Sequence, residues 1–319
     1  MQKTINRRNF LSAAGMACSG TLLASNNPIA TDSTICSSLQ KTRIKLGVST
    51  YSYWQIRPRP DIENVIDRAA ALGLEGVEIL HSQMESEDKA YINQLKKRAF
   101  EAGIGLICLA IDQSFVSPDV AVRQRNIDHT LRCIEVAHNL GVPSIRLNSG
   151  RWGTIRAFND LIAANGIEPP IEGYTDDGGF KWCIDSIEKC IPKAQECGVV
   201  LALENHWGMT ATPEGMLRIK TAINSEWLQL LPDTGNFLHD PYDKLEKVAP
   251  HAIYLHAKTY YGGGLYYSLE LDFDRIFRIF KDVGYNGYIS IEYEGRENPE
   301  TGVAKSVAML RESIDKIYS

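Results

Sequence analysis

From residue 45 onward, short apolar runs of four to eight residues alternate with longer stretches in which apolar positions recur about every 3.6 residues. The short runs are KLGVSTYSY (45–53), GVEIL (76–80), GLICLAI (105–111), PSIRLNSG (143–150), VVLALENH (199–206), LQLLPDTGN (228–236), AIYLHAKT (252–259) and YISIEYEG (288–295). Their β-branched content predicts strands. The periodic stretches predict helices over residues 61–72, 86–102, 118–140, 177–197, 213–224, 242–249, 273–283 and 300–318. Asp61 is placed as an N-cap after Pro60, and Gly73, Gly103, Gly141 and Gly198 each follow a helical stretch as stops. Strands that alternate with helices pair in parallel through right-handed crossovers. Eight of each predict an α/β fold of the (β/α)8 TIM-barrel kind. An open doubly wound sheet is the alternative, but no strand is followed by Gly-x-Gly-x-x-Gly.

The ends of the last four strands carry Glu204, Asp233, His256 and Glu292. In a closed parallel barrel the chemistry sits at the carboxyl ends of the strands. Three carboxylates and one imidazole converging there make a divalent-metal site. Oxygen-rich donors suit Mn, Mg or Co better than a structural zinc, with Zn remaining an option. Residues i and i+2 share a face of a strand. His206 therefore accompanies Glu204, Lys258 accompanies His256, Arg146 pairs with Asn148, and Glu78 sits within strand two. These five are the expected substrate contacts. Two longer connections lie on the same face: residues 150–179, with Trp152 and Tyr174, and residues 260–267, YYGGGLYY. Aromatic residues framed by glycines suit a lid over a sugar-like ring.

Composition narrows the picture. A chain of 319 residues with net charge -5 and pI near 5.9 has no basic field for nucleic acid or polyanions. Residues 1–43 form a separate leader and linker ahead of a barrel over residues 44–319. Asn6-Arg7-Arg8-Asn9-Phe10-Leu11, followed by a weakly apolar stretch too short for a membrane span, predicts a twin-arginine export signal. The expected location is periplasmic or otherwise exported, with the twin-arginine translocase as transient partner. Cys18 lacks the preceding leucine of a lipid-anchor motif, so no anchor is expected. Cys183, Cys190 and Cys197 recur every seven residues on one helix, roughly 10 Å apart at about 1.5 Å rise per residue. That exceeds disulfide reach and predicts small buried thiols.

The strand ends LENH, PDTGN, LHAKT and SIEYEG, with GVEI on strand two, resemble the xylose isomerase-like TIM-barrel superfamily of sugar isomerases and epimerases. The resemblance covers about residues 44–319 and implies that Glu204, Asp233, His256 and Glu292 ligate the metal. It further implies that Glu204 and Glu292 exchange substrate protons. Chemistry agrees, because removing a proton beside a carbonyl needs a base and charge to meet the developing enediolate. Asn236 stands where several epimerases of the family have a histidine, and the next histidine, His239, is three positions out of step. The expectation is an exported metal-dependent isomerase or epimerase acting on an unphosphorylated sugar or keto-sugar. A dehydratase of the inosose type on the same scaffold and a non-catalytic carbohydrate-binding barrel are the alternatives. Homo-oligomerisation stays open.

Overall fold

The computed structural model describes residues 44–319; the leader motif with Arg7 and Arg8, and Cys18, lie outside the described residues. Eight parallel strands are present among the described residues: β1 Lys45–Ser49, β2 Gly76–Leu80, β3 Gly105–Ala110, β4 Ser144–Leu147, β5 Val200–Glu204, β6 Leu228–Leu231, β7 Leu255–Thr259 and β8 Tyr288–Tyr293. Each pairs with its sequence neighbours except that β6 and β7 share no ladder, and β1 pairs with β8. The ring closes between β6 and β7 through two isolated bridges, Leu230 with Ala252 and Asp233 with His256. This is the α/β TIM barrel that the alternation predicts.

The helices between the strands are α1 Ile62–Ala71, α2 Lys89–Ala102, α3 Val120–Leu140, α4 Phe158–Ala163, α5 Asp176–Cys197, α6 Pro213–Ile223, α7 Pro241–Val248, α8 Phe273–Asp282 and α9 Pro299–Tyr318. Asp61 caps α1 by accepting from the Asn64 amide at 2.7 Å. Gly103, Gly141 and Gly198 end α2, α3 and α5 in the left-handed conformation. Three local departures from expectation have physical reasons. The first strand stops at Ser49, whose Oγ accepts from the Tyr51 amide at 3.3 Å and so caps a short 3-10 helix over Thr50–Tyr53. β6 stops at Leu231, because Pro232 has no N–H to give a ladder. Helix α4, six residues long, is too short to show a helical period. Cys108, Cys133, Cys183, Cys190 and Cys197 are all free thiols, four buried and Cys197 half-buried.

Strand alternation divides the burial into two parts. Leu201, Leu203, Leu228, Leu230 and Ile289 face outward into the main core beneath the helices. Ile107, Cys108, Ala202, Leu231 and Tyr254 form a separate small cluster. Ala202, Leu231 and Tyr254 stand two residues before Glu204, Asp233 and His256, so they share their strand faces. The cluster is thus an apolar layer inside the barrel, directly beneath the polar strand ends. Gly47 and Gly76 make room for it, since a Cβ at either would lie within 2.8 Å of the Ile107 side chain. Ile107 is itself the extra residue of a bulge, as Val77 pairs with Leu106 and Glu78 with Cys108.

Candidate active site

Above that layer, Glu204, Asp233, His256 and Glu292 each present one donor atom, and the four atoms lie within 4.8 Å of one another. All four residues are buried. His256 is the hub. Its Nδ1 lies 3.2 Å from Glu204 Oε1 and 3.5 Å from Glu292 Oε1, while its Nε2 lies 2.8 Å from Glu78 Oε2. A carboxylate on the far nitrogen fixes ring orientation and tautomer, the usual way a metal-type imidazole is held. Asp233 is locked by Asn205: its amide donates to Asn205 Oδ1 at 2.6 Å, and Asn205 Nδ2 donates to its carbonyl at 3.0 Å. The Gly235 amide donates to Asp233 Oδ1 at 2.7 Å. Asp233 Oδ2 makes no hydrogen bond and lies 3.0 Å from Lys258 Nζ, an ion pair.

The electrostatics are unbalanced. Glu78, Glu204, Asp233, Glu292 and Glu294 are buried together against two permanent cations, Arg146 and Lys258. Burial opposes ionisation of Glu204, but Arg146 Nη1 at 3.2 Å and the His256 hydrogen bond hold its carboxyl below the usual range. Burial, with Glu292 and Glu204 adding to it, pushes Asp233 up to about 6. Burial likewise raises Glu292. Burial disfavours the charged His256 ring, yet Glu78, Glu292 and Glu204 overcome it and keep its pKa well above the ordinary value. A proton on His256 therefore offsets part of the acidic excess. A divalent cation at the same donors would offset it more fully, so the residues present fit such an ion.

Over the donors lies a cavity of about 210 Å3 lined by Tyr51, Phe158, His206, Trp207, Asn236, Lys258, Tyr266, Tyr267 and Glu294. Of the five expected substrate contacts, His206 and Lys258 line it. Lys258 Nζ donates to Asn236 Oδ1 at 2.9 Å and lies 3.5 Å from both Glu292 and Glu294. Burial lowers the His206 pKa, so its ring is neutral. Glu78 and Arg146 instead sit against the donors, through His256 and Glu204. Asn148 is buried beside them, its carbonyl accepting from Gln113 Nε2 at 2.5 Å. A second cavity of about 240 Å3 shares Lys258 with the first and is otherwise lined by residues such as Leu271, Phe273 and Met309, with neither His206 nor Asn236 in its wall.

The outer wall was not legible from spacing. Trp54 stacks on Tyr266 at 6.4 Å, and Phe158 of α4 lies 5.1 Å from Tyr266 and 5.5 Å from Trp207. Trp207 adopts φ 59°, ψ -163°, a conformation costing a non-glycine residue on the order of 1–3 kcal/mol. Gly166 leaves it space, because a Cβ there would come within 2.5 Å of the indole. Strain beside the cavity was invisible in sequence; the YYGGGLYY loop did announce Tyr266 and Tyr267.

A xylose isomerase-like TIM barrel family model matches residues 66–313, and the chain belongs to that family. An uncharacterised protein of Methanocaldococcus jannaschii is 25% identical over 288 residues, 84% of this chain and 97% of its own. The fold is shared with D-psicose 3-epimerase of Clostridium cellulolyticum H10, at TM-score 0.68 and 16% identity over 85% of this chain and 99% of that one. It is also shared with 3-keto-D-glucoside 4-epimerase of E. coli, at TM-score 0.68 and 19% identity over 84% of this chain and 99% of that one.

Proposed function

We propose that this chain is an exported, divalent-metal-dependent sugar isomerase or epimerase that exchanges a proton beside a carbonyl through an enediolate. Its substrate is an unphosphorylated sugar or keto-sugar. The observation that carries this reading is the pairing of Glu204 and Glu292 on the Nδ1 side of one oriented histidine, each in contact with a residue, Asn236 or Lys258, that lines a small aromatic-walled cavity. The sugar epimerases that share the fold support it. At about 210 Å3 the cavity is below the roughly 300–1,000 Å3 of drug-sized ligand sites, which suits a single sugar ring. No cluster of Arg or Lys lines it for a phosphate; Lys258 is its single permanent cation among the described residues.

Glu204, Asp233, His256 and Glu292 would hold the cation, which when bound supplies positive charge beside a carbonyl oxygen. Glu204 and Glu292 are the groups that take a proton from the substrate carbon and return one. Lys258 and neutral His206 donate hydrogen bonds to substrate oxygens. Tyr51, whose hydroxyl donates to Glu294 Oε1 at 3.2 Å, and the Trp54–Tyr266 stack exclude water and flank the ring.

The test is a panel of keto-sugars turned over in deuterated water with saturating Mn(II). Product should carry solvent deuterium on the carbon beside the carbonyl. Glu204→Gln and Glu292→Gln should each lower kcat by about 10²–10⁴-fold, the usual general acid–base contribution. Turnover without label would mean a hydride shift, loss of water would mean the dehydratase, and sugar binding without turnover would mean a carbohydrate-binding barrel. The export part of the reading rests on Arg7-Arg8 followed by Phe10-Leu11. Arg7→Lys with Arg8→Lys should leave the protein in the cytoplasm in a fractionation assay; unchanged export would point to the general secretory route.

A further inference from the structure

A second group of metal-type donors gathers outside the barrel mouth, where the segment after β2 crosses α3. His81 begins the short 3-10 turn His81–Gln83 that directly follows β2. His129 and Cys133 stand four residues apart on α3, so the helix puts both on one face. One donor atom from each of the three lies within 4.8 Å of the others. Cys133 Sγ is 3.7 Å from both ring nitrogens of His129, and the two imidazole centroids are 5.4 Å apart. Glu87 adds a carboxylate, its Oε1 lying 2.9 Å from His81 Nε2.

A positive charge is already held there. Arg132 Nε lies 3.3 Å from Glu87 Oε2, and its Nη2 lies 3.2 Å from His129 Nδ1. The guanidinium thus bridges the Glu87 carboxylate and the His129 imidazole. Its side chain is 58% exposed. None of these residues lines the cavity over the Glu204 cluster.

We propose that His81, His129 and Cys133, with Glu87 as the fourth donor, form a binding site for a borderline transition-metal ion such as zinc(II) or cobalt(II). Two imidazoles, a thiolate and a carboxylate are the donor types of tetrahedral zinc, unlike the oxygen-rich set inside the barrel. The ion fastens residues 81–88, which continue from the strand bearing Glu78, to α3. Burial raises the Cys133 thiol to about 12, so the ion enters by displacing a proton from sulfur. Arg132 is the competing occupant and lowers affinity by like-charge repulsion.

Cobalt(II) titration of the metal-free protein tests this without reference to activity. Wild type should bind two equivalents, one of them with a thiolate-to-cobalt charge-transfer band in the near ultraviolet. Cys133→Ser and His129→Asn should each lose the band and one equivalent, with circular dichroism unchanged. Arg132→Met should tighten the band-forming equivalent by up to about tenfold, as expected for removing one nearby like charge. The Arg132 variant alters only an exposed side chain, so it stays informative if the buried Cys133 variant fails to fold. Absence of the band in wild type, its survival in Cys133→Ser, or weaker binding in Arg132→Met overturns the site. Loss of the first, oxygen-rich equivalent alone would count against the Glu204 cluster and leave this one intact.

Discussion

Asp233 and His256 are the residues whose charge state depends most on what else occupies the cluster. Both have pKa values raised above their unfolded values, so the metal-free folded chain holds protons that the unfolded chain has released. The stability these two groups contribute is fully present at low pH and is lost as pH rises. For Asp233 the decline runs from its unfolded value of 3.8 to about 6 and amounts to roughly 2–3 kcal/mol at about 1.4 kcal/mol per pH unit. For His256 it begins near 6.5 and continues upward. Glu204, held low by Arg146, acts oppositely, but only below its unfolded range near pH 4.5. Urea unfolding of chelated protein between pH 4.5 and 8.5 should therefore show a falling stability, carried by Asp233 below about pH 6 and by His256 above pH 6.5, with the lowered His206 opposing the fall between those limbs. Asp233→Asn should flatten the limb below pH 6 and leave the alkaline limb. A wild-type curve that rises with pH across this range would contradict the charge excess. Saturating Mn(II) should reverse the alkaline decline, since the cation replaces the proton on His256.

At the scale of elements, the strands and helices were legible because each obeys one period and ends on a recognisable stop. The strand ends were legible as a donor cluster for a related reason. Four consecutive apolar runs deliver an acid or an imidazole at the same height, and a parallel barrel brings equal heights together. What sequence could not supply is the side-by-side register inside the barrel. Glu78 and Arg146 share the inward face expected of them, yet whether they meet a substrate or a neighbouring strand depends on β2 lying opposite β7 and β4 beside β5. Asn205 was hidden for the same reason, since its partner Asp233 is 28 residues away on the next strand. Phe158 sits on a helix of six residues, below the length at which periodicity speaks, and Trp207 owes its place to a backbone conformation that composition does not encode. The aromatic wall is therefore the part of the cavity that only the folded chain reveals.

At the scale of the whole barrel, the ring has one weak seam. Neighbouring strands elsewhere share ladders, from two consecutive paired residues between β3 and β4 to five between β7 and β8, with one bulge between β2 and β3. Between β6 and β7 there are only two isolated bridges, because Pro232 interrupts the edge that β6 would offer. The seam is held by the His256 amide donating to Pro232 O at 3.1 Å, the Thr234 amide donating to His256 O at 3.1 Å, and the Lys258 amide donating to Thr234 Oγ1 at 3.1 Å. Asp233 and His256 are bridge partners across it, so a cation bound by both would stitch the barrel shut where its backbone forms no ladder. This coupling predicts where metal removal is felt. Amide hydrogen exchange should show Thr234, His256 and Lys258 losing protection on chelation, by up to about 100-fold relative to protein at a cation concentration of about 100 Kd. Amides in the β1–β2 ladder, such as Glu78, should change far less. Equal loss across all strands would mean that the ion stabilises the fold globally and the seam has no special role. No change at Thr234 and His256 would mean that the cation does not bridge β6 and β7, and that Asp233 and His256 are not its shared ligands.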